Sequence, residues 1–391
     1  MCTAGARSEL ASKADIVIVG GGVVGLSLAY NLARLGRERI VLLERGELGQ
    51  GSTARCAGGV RQQFSTPVNV QLQRLSVRLL LDFERELGAS ADFRQVGYLF
   101  LLTDELLVDA FKGHLQMWRG QGLSEARWLE PAQVADLAPL VATGDVIGAT
   151  FCPTDGLAGP AEVTLGYASA ARRLGVEIRT ASEVLGIQVD HGRVVGVTTA
   201  SGAVACAAAF ICAGAWSRQL GLGVGLDLPV QPYRRQVFVT GRVPAMTREH
   251  PMVVDFARTL YLHPEGDGVL MGMADPNEGP GFDTSVNWDF ASTVATAAVM
   301  RIPTLAEISI KTGWAGLYEM TPDHQPILGS IDEVEGLWCA CGFSGHGFMQ
   351  APAVGLVLAQ EYWGKRTEVD IEPLRWRRFS RLDLLAETNV I

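Results

Sequence analysis

Residues 14–36 read ADIVIVGGGVVGLSLAYNLARLG. The apolar run Ile16 to Val19 meets Gly20-x-Gly22-x-x-Gly25 and passes directly into a pattern with Leu28, Leu32 and Leu35 on one helical face. The spacing predicts a strand, a tight turn and a helix. Gly20 permits the turn, Gly22 lets a diphosphate approach the backbone at Val23 and Val24, and Gly25 lets helix and strand pack closely. The next apolar run, RIVLLER, ends on Glu44, 24 residues after Gly20. An acid at that distance accepts hydrogen bonds from ribose hydroxyls and disfavours a 2′-phosphate. A glycine turn flanked by a strand, a helix and a correctly spaced acid points to a bound dinucleotide.

Across 391 residues, 48% hydrophobic and 19% charged side chains suffice for roughly two to three packed domains. The net charge is −9 and no basic tract interrupts it, which argues against nucleic acid as a partner. Cysteines at 2, 56, 152, 206, 212, 339 and 341 form no CxxC pair and no metal-ligand spacing with any histidine, so no metal is expected. An odd, scattered set suits a reducing compartment, and a cytoplasmic protein is expected. The first thirteen residues lack an apolar core and read as a loose leader. Residues 16–35 approach membrane length, but their glycines and the following Glu44 fit strand plus helix better, so no transmembrane segment is expected.

After Glu44, the small and polar residues from Gly46 to Phe64 read as a loop lying close to a ligand, with Arg45, Ser52, Thr53, Arg55, Cys56, Ala57, Gly58 and Gly59 as candidate cofactor contacts. Leu72, Leu75, Leu79, Phe83 and Leu87 follow at helical spacing, ended by Gly88. Residues 93–102 look like a strand, 104–120 like a helix with Leu106, Ala110 and Trp118 inward, and 129–140 like a short helix and loop. Two alternating runs from Val184, itself a candidate cofactor contact, pair as a hairpin around Asp190-His191-Gly192-Arg193. A buried strand then runs into Ala213, Gly214 and Trp216, a second place where backbone meets a cofactor. From Gly221 the segments YRRQVFVTG, TLYLHP and GVLMGM, with a helix near 287–302, suggest a second, mainly antiparallel domain. The chain closes with a strand at 337–343, the loop Ser344-Gly345-His346-Gly347 and a helix from about Ala351 to Trp363. His114 and His250 read as surface histidines.

A nicotinamide dehydrogenase with one glycine motif does not need another glycine-rich strand-loop-helix at the far end. FAD is long enough to use both. Its adenine and ribose fit Gly20 to Glu44, and its flavin edge, anionic when reduced, fits the backbone donors around Gly342, Phe343, Ser344, Gly345, His346, Gly347, Phe348 and Met349 and the dipole of the last helix.

On ADIVIVGGGVVGLSLAYNLA, GSTARCAGGVRQQF, CAGAWS, YLHPEGDGVLMG, YEMTPDHQPILG and GFSGHGFMQAPAVG, in this order, the sequence resembles the D-amino-acid oxidase or sarcosine oxidase superfamily. The likeness extends to sarcosine oxidases, including the β subunits of heteromeric ones, and to the L-proline dehydrogenase β subunit through Arg55-Cys56 and Gly59 to Phe64. The resemblance implies an α/β fold: a discontinuous Rossmann-like FAD domain (14–90, 146–220 and 315–375) with an inserted, mainly antiparallel α+β substrate domain (91–145 and 221–314). It also implies amino-acid substrates, often N-methylated or cyclic. Arg61 is similar in position to the family arginine that grips the substrate carboxylate; a surface arginine is the alternative. Tyr261 and Tyr318 match tyrosines that wall the pocket, although core packing is equally open. His346 matches a histidine beside the flavin, suited to electrostatic tuning or proton handling.

Departures from the family pattern carry their own expectations. Gly316 stands where monomeric sarcosine oxidase has its flavin-linked cysteine, so FAD is expected to be noncovalent. The loop at Gly159, Pro160 and Ala161 lacks the histidine that anchors a second flavin. Leu270 and Met349 replace two family lysines, one that activates oxygen and one that contacts the substrate carboxylate.

The expected function is oxidation of a small amino acid at its C–N bond, sarcosine or a related secondary amine first, by hydride transfer to flavin N5 and imine hydrolysis. The acceptor is O2, giving H2O2, or an electron-accepting partner, with hetero-oligomer partners possible. The alternatives are L-proline or glycine oxidation, or a non-catalytic flavin-bearing assembly subunit.

Overall fold

The computed structural model describes residues 13–391, so Cys2 and all of the expected leader but Lys13 lie outside the described residues. Ile16–Val19 and Ile40–Leu43 are four-residue, fully buried strands of branched aliphatic side chains. Such runs suit a parallel sheet covered on both faces. They lie inside a six-stranded sheet in the order Ile327–Ser330, Leu337–Cys341, Ala208–Ile211, Ile16–Val19, Ile40–Leu43, Glu177–Arg179. All neighbours are parallel except the first pair.

Two helices from opposite ends of the chain, Val23–Leu35 and Gly347–Tyr362, pack against each other. Gly355 makes this possible, because a Cβ there would lie 2.3 Å from Ser27 Oγ. The N-terminal glycine turn and the penultimate loop are therefore held beside one another.

The second sheet has eight strands and runs Ile310–Met320, Gln231–Thr240, Gly268–Met273, Leu260–Glu265, Met252–Asp255, Tyr98–Leu102, Gly148–Cys152, Arg127–Leu129. It is antiparallel except where Met252–Asp255 meets Tyr98–Leu102. Phe290, Val294 and Ala298 of the helix Trp288–Arg301 bury one face against Phe238, Leu262 and Met271. The opposite face is free to look onto a cavity. By sheet membership the divisions fall after Cys152 and after Met320, since the expected ones at 145/146 and 314/315 assign Gly148–Cys152 and most of Ile310–Met320 to the other unit.

Several local expectations are corrected. The helix expected to run unbroken to Gly88 is split at Asp82 into Pro67–Leu81 and Phe83–Leu87. In Glu105–Gly120 only Trp118 of the three residues expected inward is buried; Leu106 is 81% exposed and Ala110 is exposed. Asp104 caps that helix, and the buried stripe is Val108, Phe111, Leu115 and Trp118, a face set by aromatic bulk. The strand expected over 93–102 begins at Tyr98, because Gly97 turns the chain at φ +84. The last helix starts at Gly347, four residues before the expected Ala351, with Pro352 inside it. His250 is buried and His114 half-buried against Phe111 and Trp118, so neither is a surface histidine. His191 does sit exposed in the hairpin turn, at φ 46.

Candidate active site

The glycine turn is built as its spacing requires. Gly20 has φ +114, and a Cβ there would sit 2.3 Å from the Cys212 carbonyl oxygen. Gly25 packs on the Gly20 carbonyl, where a Cβ would come within 2.1 Å. Glu44 reaches back to the turn: its Oε2 accepts from Gly21 N–H at 2.6 Å and its Oε1 from Gly46 N–H at 2.8 Å. Each carboxylate oxygen keeps a lone pair for a further donor. Gly21 is required as well, since a Cβ would meet Glu44 Cβ at 2.8 Å.

The loop after Glu44 is clipped onto the eight-stranded sheet. Ser52 Oγ donates to Leu317 O at 2.7 Å, Arg55 Nη1 to Ala315 O at 2.8 Å, and Trp314 Nε1 to Arg55 O at 3.0 Å. Thr53 Oγ1 accepts from Val23 N–H at 3.3 Å, at the start of the first helix. Arg45 stacks over Trp216, with Cζ 3.6 Å from the ring centroid. Burial pushes the Cys56 thiol up to about 12, so it is no nucleophile near neutrality.

These pieces border one cavity of about 800 Å³ that runs from Gly20 and Glu44 to Arg61 and His346. Every cofactor or catalytic candidate read from the sequence lines it except Gly25 and Gly342. Those two serve packing: Gly342 has φ +74 and a Cβ would meet Thr321 Cγ2 at 2.5 Å. The chain of donors fits a long dinucleotide. At one end lie Gly22, Val23 and Val24, and at the other Gly347, Phe348 and Met349; first-turn N–H groups have no acceptor within their own helix. Ser344, at φ 51, and Gly345, at φ 94, bend the strand end into the N-terminus of the last helix.

Arg61 is 2% exposed yet meets only neutral acceptors among the described residues. Nη1 donates to Gln63 O at 2.9 Å, and Nη2 contacts the Asn389 carbonyl oxygen and His346 Nε2, the latter at 3.4 Å. The Phe64 ring centroid lies 3.9 Å from its Cζ. Burial lowers its pKa, and Glu387 is the leading opposing charge. The segment that follows Arg61 is pinned by the buried Asp155, which accepts from Gln62 N–H at 2.9 Å and Gln63 Nε2 at 3.0 Å. Burial raises Asp155 to about 6.

Because an arginine only donates, the Arg61 contact makes His346 Nε2 the acceptor and puts the ring proton on Nδ1. That Nδ1 is buried and without a partner among the described residues. Burial first, then Arg61 and His324, hold His346 well below the ordinary histidine range. It is a neutral donor at neutral pH, which narrows the expected proton handling to hydrogen bonding.

The two tyrosines each lie on a glycine. A Cβ on Gly345 would lie 2.3 Å from the Tyr318 ring, and one on Gly272 2.3 Å from Tyr261. Both line the cavity. Leu270 is buried and does not line it. Sequence reasoning missed Tyr98, whose hydroxyl occupies the space a Gly59 side chain would need, and also Arg235 and Glu319. An acid interrupting the strand beside Tyr318 was the available signal for Glu319. Burial raises Glu319 to about 7, although its Oε2 accepts from Gly342 N–H at 2.9 Å. Among the described residues no helix is long and apolar enough to cross a membrane.

The family model described as FAD dependent oxidoreductase (DAO) matches residues 15–361. Glycine oxidase of Geobacillus kaustophilus is 30% identical over 375 residues, covering 93% of this chain and 97% of that protein. Mitochondrial sarcosine dehydrogenase of Homo sapiens is 31% identical over 392 residues, covering 96% of this chain but 42% of that protein. The chain thus spans less than half the length of the mitochondrial relatives it matches. The crystal structure of L-proline dehydrogenase from P. horikoshii superposes with a TM-score of 0.90 at 34% identity, covering 96% of this chain and 100% of that one. With the glycine turn, the paired helix N-termini and the two-sheet architecture already in place, the chain belongs to the FAD-dependent oxidoreductases of the DAO family, and FAD is its cofactor.

Proposed function

We propose that this flavoenzyme oxidises a small amino acid at its C–N bond, with sarcosine or a related secondary amine as the leading substrate. One observation carries the reading: Arg61 is a buried cation with no carboxylate partner among the described residues, and it lines the cavity. Burying an unpaired charge is costly, and a substrate carboxylate would compensate it through charge-assisted hydrogen bonds. Bound FAD supplies the two-electron acceptor for the hydride leaving the carbon next to nitrogen, and the imine product hydrolyses in water. Arg61 orients the carboxylate, Tyr261 and Tyr318 wall the amine, and His346 offers its Nδ1 proton as a neutral donor. The resemblance to sarcosine and glycine enzymes supports the amine class; the long match to an L-proline dehydrogenase supports proline as a second substrate.

Gly316 supplies no side chain for a flavin bond, which supports noncovalent FAD. Leu270 and Met349, where family lysines stand, favour an electron-accepting partner over O2, possible within a hetero-oligomer. The free cysteines support a cytoplasmic location.

Anaerobic mixing with sarcosine, glycine and L-proline tests the reading. Bleaching of the flavin absorbance is expected with at least one of them. Arg61→Lys, which keeps the charge but loses the fork, should weaken that substrate roughly ten- to hundredfold. A flavin that none of them reduces would leave the assembly-subunit reading in its place.

A further inference from the structure

The strand Gln231–Thr240 carries two consecutive arginines, and strand alternation sends them to opposite faces. Arg234 is fully engaged: Nε donates to Glu278 at 2.9 Å and Nη1 to Asp283 at 2.7 Å. Arg235 is different. It pairs in register with Gly316, on the face shared by Tyr233, Val237 and Tyr318, and it lines the cavity. Its Cζ lies 5.3 Å from the Tyr318 ring centroid. Its one hydrogen bond among the described residues runs from Nη1 to the main-chain oxygen of Arg234, at 2.9 Å. Its Nε is buried without a partner, and no acid among the described residues pairs with it.

Tyr318 packs on Gly345, next to His346, which touches Arg61. Two guanidinium groups thus border one cavity around the same tyrosine, and neither meets a carboxylate among the described residues. Arg61 answers one anion. Arg235 keeps Nε and Nη2, a side-on pair of donors that matches the two oxygens of a second.

We propose that Arg235 is a second anion anchor, and that the substrates this enzyme prefers are amino acids carrying a second carboxylate, on the side chain or on the nitrogen substituent. This deepens the C–N oxidation reading above and rests on it. The same unpaired cation disfavours amines with a cationic tail, so it selects as well as binds.

The test uses the FAD-loaded protein, wild type and Arg235→Gln, with L-aspartate, N-methyl-L-aspartate and iminodiacetate against sarcosine, glycine and L-proline. Succinate and acetate, which have no amine to oxidise, are titrated calorimetrically as an equilibrium readout. The wild type is expected to bind succinate more tightly than acetate and to favour the dicarboxylates in kcat/KM. Arg235→Gln should lower the dicarboxylate-to-monocarboxylate ratio roughly ten- to hundredfold, with partial recovery in Arg235→Lys. Equal treatment of the two classes by the wild type would overturn the assignment. So would an Arg235→Gln protein that loses FAD or weakens both classes alike. Flavin bleached by monocarboxylates alone removes the second anchor but leaves C–N oxidation standing; bleaching by no amine at all removes both. Should Arg235→Gln fail to fold, the wild-type comparison of succinate with acetate still decides.

Discussion

The main-chain oxygen of Asn389 accepts a hydrogen bond from Arg61, joining residues 328 positions apart. Glu387 holds that segment in place. Its fully buried carboxylate accepts from Ser65 N–H at 2.7 Å, Thr66 Oγ1 at 2.9 Å, Asn69 Nδ2 at 2.9 Å and Asn389 N–H at 3.0 Å. Glu387→Ala strands these donors in a dry site and should cost roughly 3 kcal/mol or more of stability. It should also raise the substrate KM, since Arg61 loses its carbonyl clamp. Urea midpoints together with steady-state kinetics check both, and an unchanged midpoint with an unchanged KM would contradict the strap.

Covalent attachment of the flavin gives a sharp chemical test. Gly316 offers no side chain, a Cβ there would already press Arg55 Cβ at 3.0 Å, and the half-buried Cys56 thiol is held protonated. Acid precipitation should therefore leave a colourless pellet and a yellow supernatant. A pellet that stays yellow after washing would show a bond to some other side chain.

What sequence could and could not disclose follows from the range of the forces involved. The turn from Gly20 to Gly25 was legible because steric demands on glycine and helical periodicity are local. The start of the last helix was misplaced because Pro352 reads as a boundary, whereas here Pro352 lies inside a helix that begins at Gly347. Leu106 and Ala110 were misread because the buried face is chosen by Phe111 and Trp118 packing on distant partners. In the strand Gln231–Thr240, alternation separates Arg234 from Arg235, but only pairing with Ile310–Met320 decides which one meets the cavity. The role of residues 387–389 had no local signal, because the site residues they hold, Arg61 and Ser65 among them, lie more than 300 residues away.

Glu319 should couple stability to pH. Its remaining exposure faces the cavity, and burial raises its carboxyl from 4.5 to about 7. A carboxyl whose folded value is raised stabilises the fold fully below its unfolded value, and that contribution is lost as pH climbs through the folded value. The window is therefore pH 4.5 to about 7, and the full loss amounts to about 3 kcal/mol. Glu319→Gln, neutral throughout, should remove this slope. Urea denaturation of both proteins at pH 5 and pH 8 measures it; parallel curves for the two would exclude Glu319 as the source.

The pH dependence of turnover separates the substrate from the enzyme. An ammonium has no lone pair with which to expel hydride, so the reactive substrate is the neutral amine, and the rate of flavin reduction should rise with pH. His346 does not supply that rise, because burial and the neighbouring Arg61 hold it neutral from well below the ordinary histidine range. The midpoint should accordingly move with the pKa of the amine when one substrate is exchanged for another. In His346→Gln it should stay where it is, while the limiting rate falls through loss of the Nδ1 donor. Stopped-flow reduction at a series of pH values checks both statements. A midpoint that ignores the choice of amine and shifts on replacement of His346 would make this histidine the titrating base.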